Sequence, residues 1–159
     1  MTINRSMVCV VGAAALASCG TMRSYDGPQK APGEIATLVV IHPDFTIGKV
    51  FISNVDHSYD LRDVSMRKSI ELLPGHHVIA VGHANSSVSC ALTFEALAGK
   101  TYAVLSWEGY GAIDHYRGQT WGAFLREVSQ AEGQSGKVTD MTLRPGKDIE
   151  CAFLPDHRY

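Results

Sequence analysis

The sequence predicts an all-β fold, a small antiparallel β-sandwich carried behind a signal peptide and a flexible tether. Three observations carry the prediction. Short runs rich in β-branched and aromatic residues recur from residue 35 onward. Gly- and Pro-centred turn signals separate these runs at near-regular spacing. The residues before 35 have a different character, an apolar stretch followed by a polar one rich in Gly and Pro.

Residues 1–18 read as a secretory signal. Arg5 is their only charged side chain, residues 7–16 form an apolar run, and the small Ala17 and Ser18 precede Cys19. A bilayer core needs roughly twenty apolar residues to cross, so a run of about ten is too short to remain as a spanning helix. Residues 19–34 are then expected to be a flexible tether, and residues 35–159 a single domain.

Within the domain, residues 35–42 form a first strand that stops at Pro43-Asp44, and residues 50–55 a second. Residues 56–68 are polar and unpatterned, which predicts a loop. Residues 69–73 and 77–81 flank Pro74-Gly75, the pair a type II turn wants, because Pro presets φ and Gly accepts a positive φ. That predicts a hairpin. Residues 88–97 and 101–107 flank Ala98-Gly99-Lys100, which predicts a second hairpin with a three-residue loop. Leu143-Arg144-Pro145-Gly146-Lys147 repeats the same turn chemistry. Residues 121–128 fit two templates. Trp121, Phe124, Leu125 and Val128 have helical spacing, whereas Trp121, Ala123 and Leu125 would share one strand face. Flanking glycines and the β-rich surroundings favour the strand.

Removing residues 1–18 from the 159-residue chain leaves 141, a normal size for one domain with a real core. That removal takes one Arg and no acid from 14 basic and 16 acidic side chains, leaving a balance of about −3. No basic stripe is present, which argues against nucleic acid as a partner. No Lys/Arg cluster suits anionic lipid head groups either.

Leu16-Ala17-Ser18-Cys19 closely resembles the lipobox of bacterial lipoproteins. The resemblance implies cleavage between Ser18 and Cys19, a diacylglycerol on the Cys19 sulfur, and an acylated new N-terminus. Two or three acyl chains anchor stably where one is marginal. The chain would then meet the membrane through its N-terminal lipid and work beside other envelope proteins. Gly20, in place of Asp after the cysteine, resembles the sorting pattern of outer-membrane cargo facing the periplasm. With Cys9 removed and Cys19 acylated, Cys90 and Cys151 remain as an even pair in an oxidising compartment. A disulfide is expected. It would close about sixty residues and contribute roughly 4 kcal/mol in the chain-entropy model. Two buried free thiols are the alternative.

Residues 69–81, Ser-Ile-Glu-Leu-Leu-Pro-Gly-His-His-Val-Ile-Ala-Val, and residues 92–102, Leu-Thr-Phe-Glu-Ala-Leu-Ala-Gly-Lys-Thr-Tyr, resemble two successive hairpins of PEGA-like and uncharacterised periplasmic lipoprotein domains. The likeness covers about forty residues. It implies a β-sandwich and no particular activity.

No catalytic set emerges. His77 and His83 share a strand face but lie about 20 Å apart at strand rise, too far for one metal ion. A metal site would need partners such as His42, His57 or His115, so none is expected, and no cofactor either. Gly99-Lys100-Thr101 ends like a P-loop, yet Phe94 stands where that loop needs its first Gly. Gly-x-Ser-x-Gly and His-Glu-x-x-His are absent from the sequence. Asp60, Glu95, Glu108 and Asp114 are read as solvated carboxylates. Trp107, Tyr110, Tyr116 and Trp121 surround a Gly-rich segment that could offer a stacking platform. The plainer expectation makes Trp107 and Trp121 core residues of adjoining strands. The expected function is therefore a non-enzymatic, membrane-tethered binding or structural module. The alternative is a small-ligand or metal-binding lipoprotein.

Overall fold

The computed structural model describes residues 21–41, 50–56, 59–60, 69–84, 86, 88–110 and 119–153. Its strands are β1 (Met22–Arg23), β2 (Ala36–Ile41), β3 (Val50–Val55), β4 (Tyr59–Asp60), β5 (Ile70–Leu72), β6 (Gly75–His83), β7 (Cys90–Ala96), β8 (Thr101–Tyr110), β9 (Gln119–Val128), β10 (Ile149–Glu150) and β11 (Ala152–Phe153). They form two sheets, β1-β5-β2-β8-β9-β10 and β11-β7-β6-β3-β4. One core joins them. Leu38, Leu72, Tyr102, Val104 and Leu125 of the first sheet meet Ile52, Ile79, Val81, Leu92 and Phe94 of the second. The expected sandwich is present, and residues 121–128 lie on strand β9. Period-2 burial explains this. In β7 every second residue, Cys90, Leu92, Phe94 and Ala96, is buried, while Thr93 and Glu95 are exposed. In β3 the same alternation slips at a bulge between Ile52 and Asn54, which returns Val55 to the core.

The first sheet is mixed, not purely antiparallel. β2 runs parallel to β8, and β1 parallel to β5. The cause lies in two turns expected to close hairpins. β5 and β6, on either side of Leu73-Pro74, belong to different sheets, and so do β7 and β8, on either side of residues 97–100. Each connection is an arch across the core. The turn chemistry holds at the second arch, where Gly99 has φ 74° and Lys100 N–H donates to the Leu97 carbonyl. At the first, Gly75 has a positive φ of 138°, well past the roughly +80° of a type II turn, and already belongs to β6, so the expected type II turn is not formed. What differs is the destination of the strand after the turn. The true hairpins join β6 to β7 and β8 to β9, the latter a ribbon with ten residues on each side.

A third layer covers the outer face of the first sheet. Ile41, Ala103, Leu105, Phe124 and Val128 form a second cluster under Val138, Met141 and Leu143. A short helix, α1 (Gln130–Ser135), begins that cover. Ser129 and Glu132 form a capping box, and Gly136 ends the helix at φ 66°. The close approach of α1 to the sheet relies on Gly133, where a Cβ would lie 2.7 Å from Thr101 Cγ2.

Residues 21–25, part of the segment 19–34 expected to be a flexible tether, are seated on the sandwich, whereas residues 26–34 are exposed. Met22 N–H donates to Ser69 O and Ser24 N–H to Glu71 O, adding β1 to the sheet edge. Tyr25 is buried, and its hydroxyl donates to Glu71 Oε2 at 2.9 Å. Burial and the neighbouring Glu71 carboxylate raise the Tyr25 pKa, against a lowering hydrogen bond from Lys30 N–H. Backbone pairing and one buried ring thus order what composition alone marks as flexible.

Candidate functional site

Three buried polar side chains, His77, Tyr102 and Asp148, sit beside glycine-containing bends, and each closes its own bend. At the first arch, His77 is buried on the inward face of β6. Its Nε2–H donates to the Leu73 carbonyl at 2.7 Å, and Nδ1 meets Asp56 Oδ2 at 2.6 Å. Asp56, at φ 51°, also accepts from Val78 N–H through Oδ1. At the second arch, Tyr102 is buried, and its hydroxyl accepts from Leu97 N–H and donates to Glu95 O. This return of a tyrosine hydroxyl to backbone just upstream works as a tyrosine corner does. Phe94 lies between the two arches, 5.1 Å from Tyr102 and 6.0 Å from His77 by ring centroids.

The third turn, Arg144 to Lys147, has Gly146 at φ 73° and a Lys147 N–H to Arg144 O bond. Asp148 follows and accepts from Arg144 N–H at 2.8 Å. Its carboxylate also takes Arg126 Nε at 2.9 Å and Arg126 Nη2 at 2.5 Å. The side chains of Arg126 and Asp148 are 4% and 0% exposed, so this is a buried bidentate pair. Arg126 further donates to the carbonyls of Asp140 and Thr142. Burial raises the Asp148 pKa, but hydrogen bonds from Arg126 and Arg144 outweigh it and hold the carboxyl well below the usual range. The Asp148 hydrogen bond raises the Arg126 pKa in turn, against a smaller lowering by burial. The pair fastens the third layer to β9.

Cys90 and Cys151 are joined in a disulfide with a Cα–Cα separation of 5.5 Å. Cys151 stands where the chain leaves β10 in the first sheet and enters β11 in the second. The bond therefore fixes a third crossing between the sheets.

The expected histidine positions are met in part. His77 and His83 both face inward, at opposite ends of β6, and His76 is exposed on the other face, 3.9 Å from Glu95. His83 stacks on Trp121 at 5.1 Å. Among the described residues, no group of three His, Cys, Asp or Glu is arranged to hold a metal ion. The two tryptophans divide. Trp121 is buried, whereas Trp107 is 47% exposed on the outer face. Its indole lies over Gly122, its cross-strand partner, where a Cβ would come within 2.6 Å of the ring. Ser18, Cys19, His42, His57, Asp114, His115 and Tyr116, and the side chains of Asp60, Glu108 and Tyr110, lie outside the described residues. The sequence reading did not mark Asp56, Tyr102, Arg126 or Asp148. For Tyr102 and Asp148 the available signal was positional, a polar or aromatic residue two or three places after a turn glycine; Asp56 and Arg126 carry no such signal.

These features define a three-layered, arch-connected β-sandwich whose described polar groups mainly secure its crossings. No protein-family model, curated protein or solved structure matches the chain.

Proposed function

We propose that the chain is a lipid-anchored envelope protein whose sandwich is a non-enzymatic binding or structural module. The observation that carries this reading is Leu16-Ala17-Ser18-Cys19, behind a short apolar run that begins six residues from the start. The Cys90–Cys151 disulfide supports it, because such bonds persist in oxidising compartments. The use of His77, Tyr102 and Asp148 as turn closures supports a module built for rigidity. In this reading Cys19 takes the lipid, Ser18 is the last residue of the signal, and Gly20 directs the protein to the outer membrane, facing the periplasm.

Labelled palmitate tests the anchor. The native chain should take up label, and Cys19→Ala should accumulate as an unlabelled, unprocessed precursor. Normal processing of that variant would refute the anchor. Crosslinking in living cells, followed by identification of the adduct, tests the module. A specific envelope protein is the expected capture, and turnover of an envelope substrate by the purified protein would contradict a non-enzymatic role.

A further inference from the structure

The order of residues 21–25 removes the spacer that would lift the sandwich off a membrane. Met22, Ile70, Leu38 and Tyr102 lie on one row across the first sheet. Three residue-to-residue steps lead from Cys19 to Met22, a contour of at most about 11 Å. β1 runs parallel to β5, from Met22 toward the arches, so the chain enters it at the end opposite the arches. The β8–β9 ribbon extends toward that same end. From Tyr102 it advances five residues to Trp107, about 17 Å, and eight to Tyr110, about 26 Å, at ordinary strand rise. Twist of about 20–25° per strand accumulates over the three steps from β1 to β8 to less than a right angle. The ribbon is thus tilted from β1 but still advances on the anchor side: projected on the β1 direction, Trp107 lies about 4–9 Å beyond Tyr102, within the span that Cys19 can reach.

On the ribbon's outer face the Trp107 indole lies against Gly122, with nearly half of the residue's surface open. A ring over a strand glycine is also a structural device, since it covers exposed backbone. That role still leaves nearly half of the residue's surface exposed. Trp belongs energetically at a membrane–water boundary, with its apolar body toward acyl chains and its N–H toward head groups. The other well-exposed large apolar side chains include Leu73 and Leu97, 40% and 52% exposed, but both sit at the arches, the end away from the anchor.

We propose that the ribbon end of the sandwich rests on the lipid surface that holds Cys19, with Trp107 in the interface, so that the two arches face away from the membrane. This rests on the reading of Cys19 as the lipidated residue. The absence of a Lys/Arg cluster in the sequence makes the contact one of aromatic insertion, not of attraction to anionic head groups.

The test uses the full acylated protein in phosphatidylcholine vesicles carrying bromines at shallow acyl positions. The chain holds two tryptophans, so Trp107→Phe leaves Trp121 alone as a reporter. Native protein should lose emission in brominated vesicles relative to plain ones, and Trp107→Phe should lose little. Leu97→Trp, added to Trp107→Phe, should report an arch end that bromine does not reach. An acylated native protein with unquenched Trp107 emission overturns the orientation alone, as does equal quenching at position 97. Mass analysis showing no acyl group on Cys19 overturns both the anchor and the orientation.

Discussion

Asp148→Asn isolates the charge that fastens the third layer. Asparagine keeps the shape and one carbonyl acceptor but leaves the Arg126 guanidinium buried without a counter-charge. Breaking a buried pair from one side costs about 3–5 kcal/mol, because the remaining charge stays desolvated. Domains of this size have a total stability of about 5–15 kcal/mol, so the variant should fold with a much reduced margin. At roughly 3–5 °C per kcal/mol, the melting temperature should fall by about 10–20 °C. Urea unfolding followed by tryptophan emission, with the disulfide intact, measures the cost. The pH dependence adds a signature. Because the folded-state pKa of Asp148 is depressed, its contribution is fully present above the ordinary carboxylate value of about 4 and is lost as pH falls below it. The native protein and Asp148→Asn should therefore differ most near neutrality and converge in acid. Arg126→Met also orphans the carbonyls of Asp140 and Thr142, so only the coupling in a double-mutant cycle, roughly 1–3 kcal/mol, reports the ion pair. A cost below about 1 kcal/mol for Asp148→Asn, or a gap that does not change with pH, would mean that the Asp148 charge does not fasten the third layer.

Tyr102→Phe removes a hydroxyl that serves both Leu97 N–H and Glu95 O at the second arch. It should cost about 1–3 kcal/mol in urea with little change in m, and an unchanged midpoint would show that the arch closes without it. Reducing Cys90–Cys151 should lower stability by roughly 4 kcal/mol in the chain-entropy model, measured as the urea midpoint with and without reductant. An equal midpoint would mean that the β10–β11 crossing holds without the bond.

Much of the strand content was legible because burial alternates with period 2. Residues 35–42 and 50–55 anticipate β2 and β3 closely, and the apolar alternation in β9 outweighed its partial helical spacing. The helix α1 carried readable signals, Ser129 and Glu132 at its start and Gly136 at its end, but only six residues between them. So short a helix leaves no amphipathic pattern to detect. Arg126 was hidden for a different reason. It lies between Phe124 and Val128 on the outer face, a position that reads as solvated until residues 137–148 are known to cover it. Its partner stands twenty-two residues away, and no local rule joins the two.

The positions of the bends are set by local residues. Gly99 and Gly146 adopt positive φ because their neighbours demand it, Gly75 likewise follows a proline, and two unlabelled cysteines suffice to anticipate one bond. What each bend connects depends on contacts distant in the chain. A hairpin and an arch use the same residues at the bend, and both bury Leu72, His77 and Ile79. In the hairpin those side chains would lie on one face of one sheet, whereas in the arch they face each other across the core. Local φ preferences are identical in the two cases. The choice follows from non-local burial, in which β2 takes β5 and β8 as neighbours while β6 takes β3 and β7. The same pairing captures residues 22–25 on the sheet edge, so a segment that composition describes as a tether becomes part of the domain.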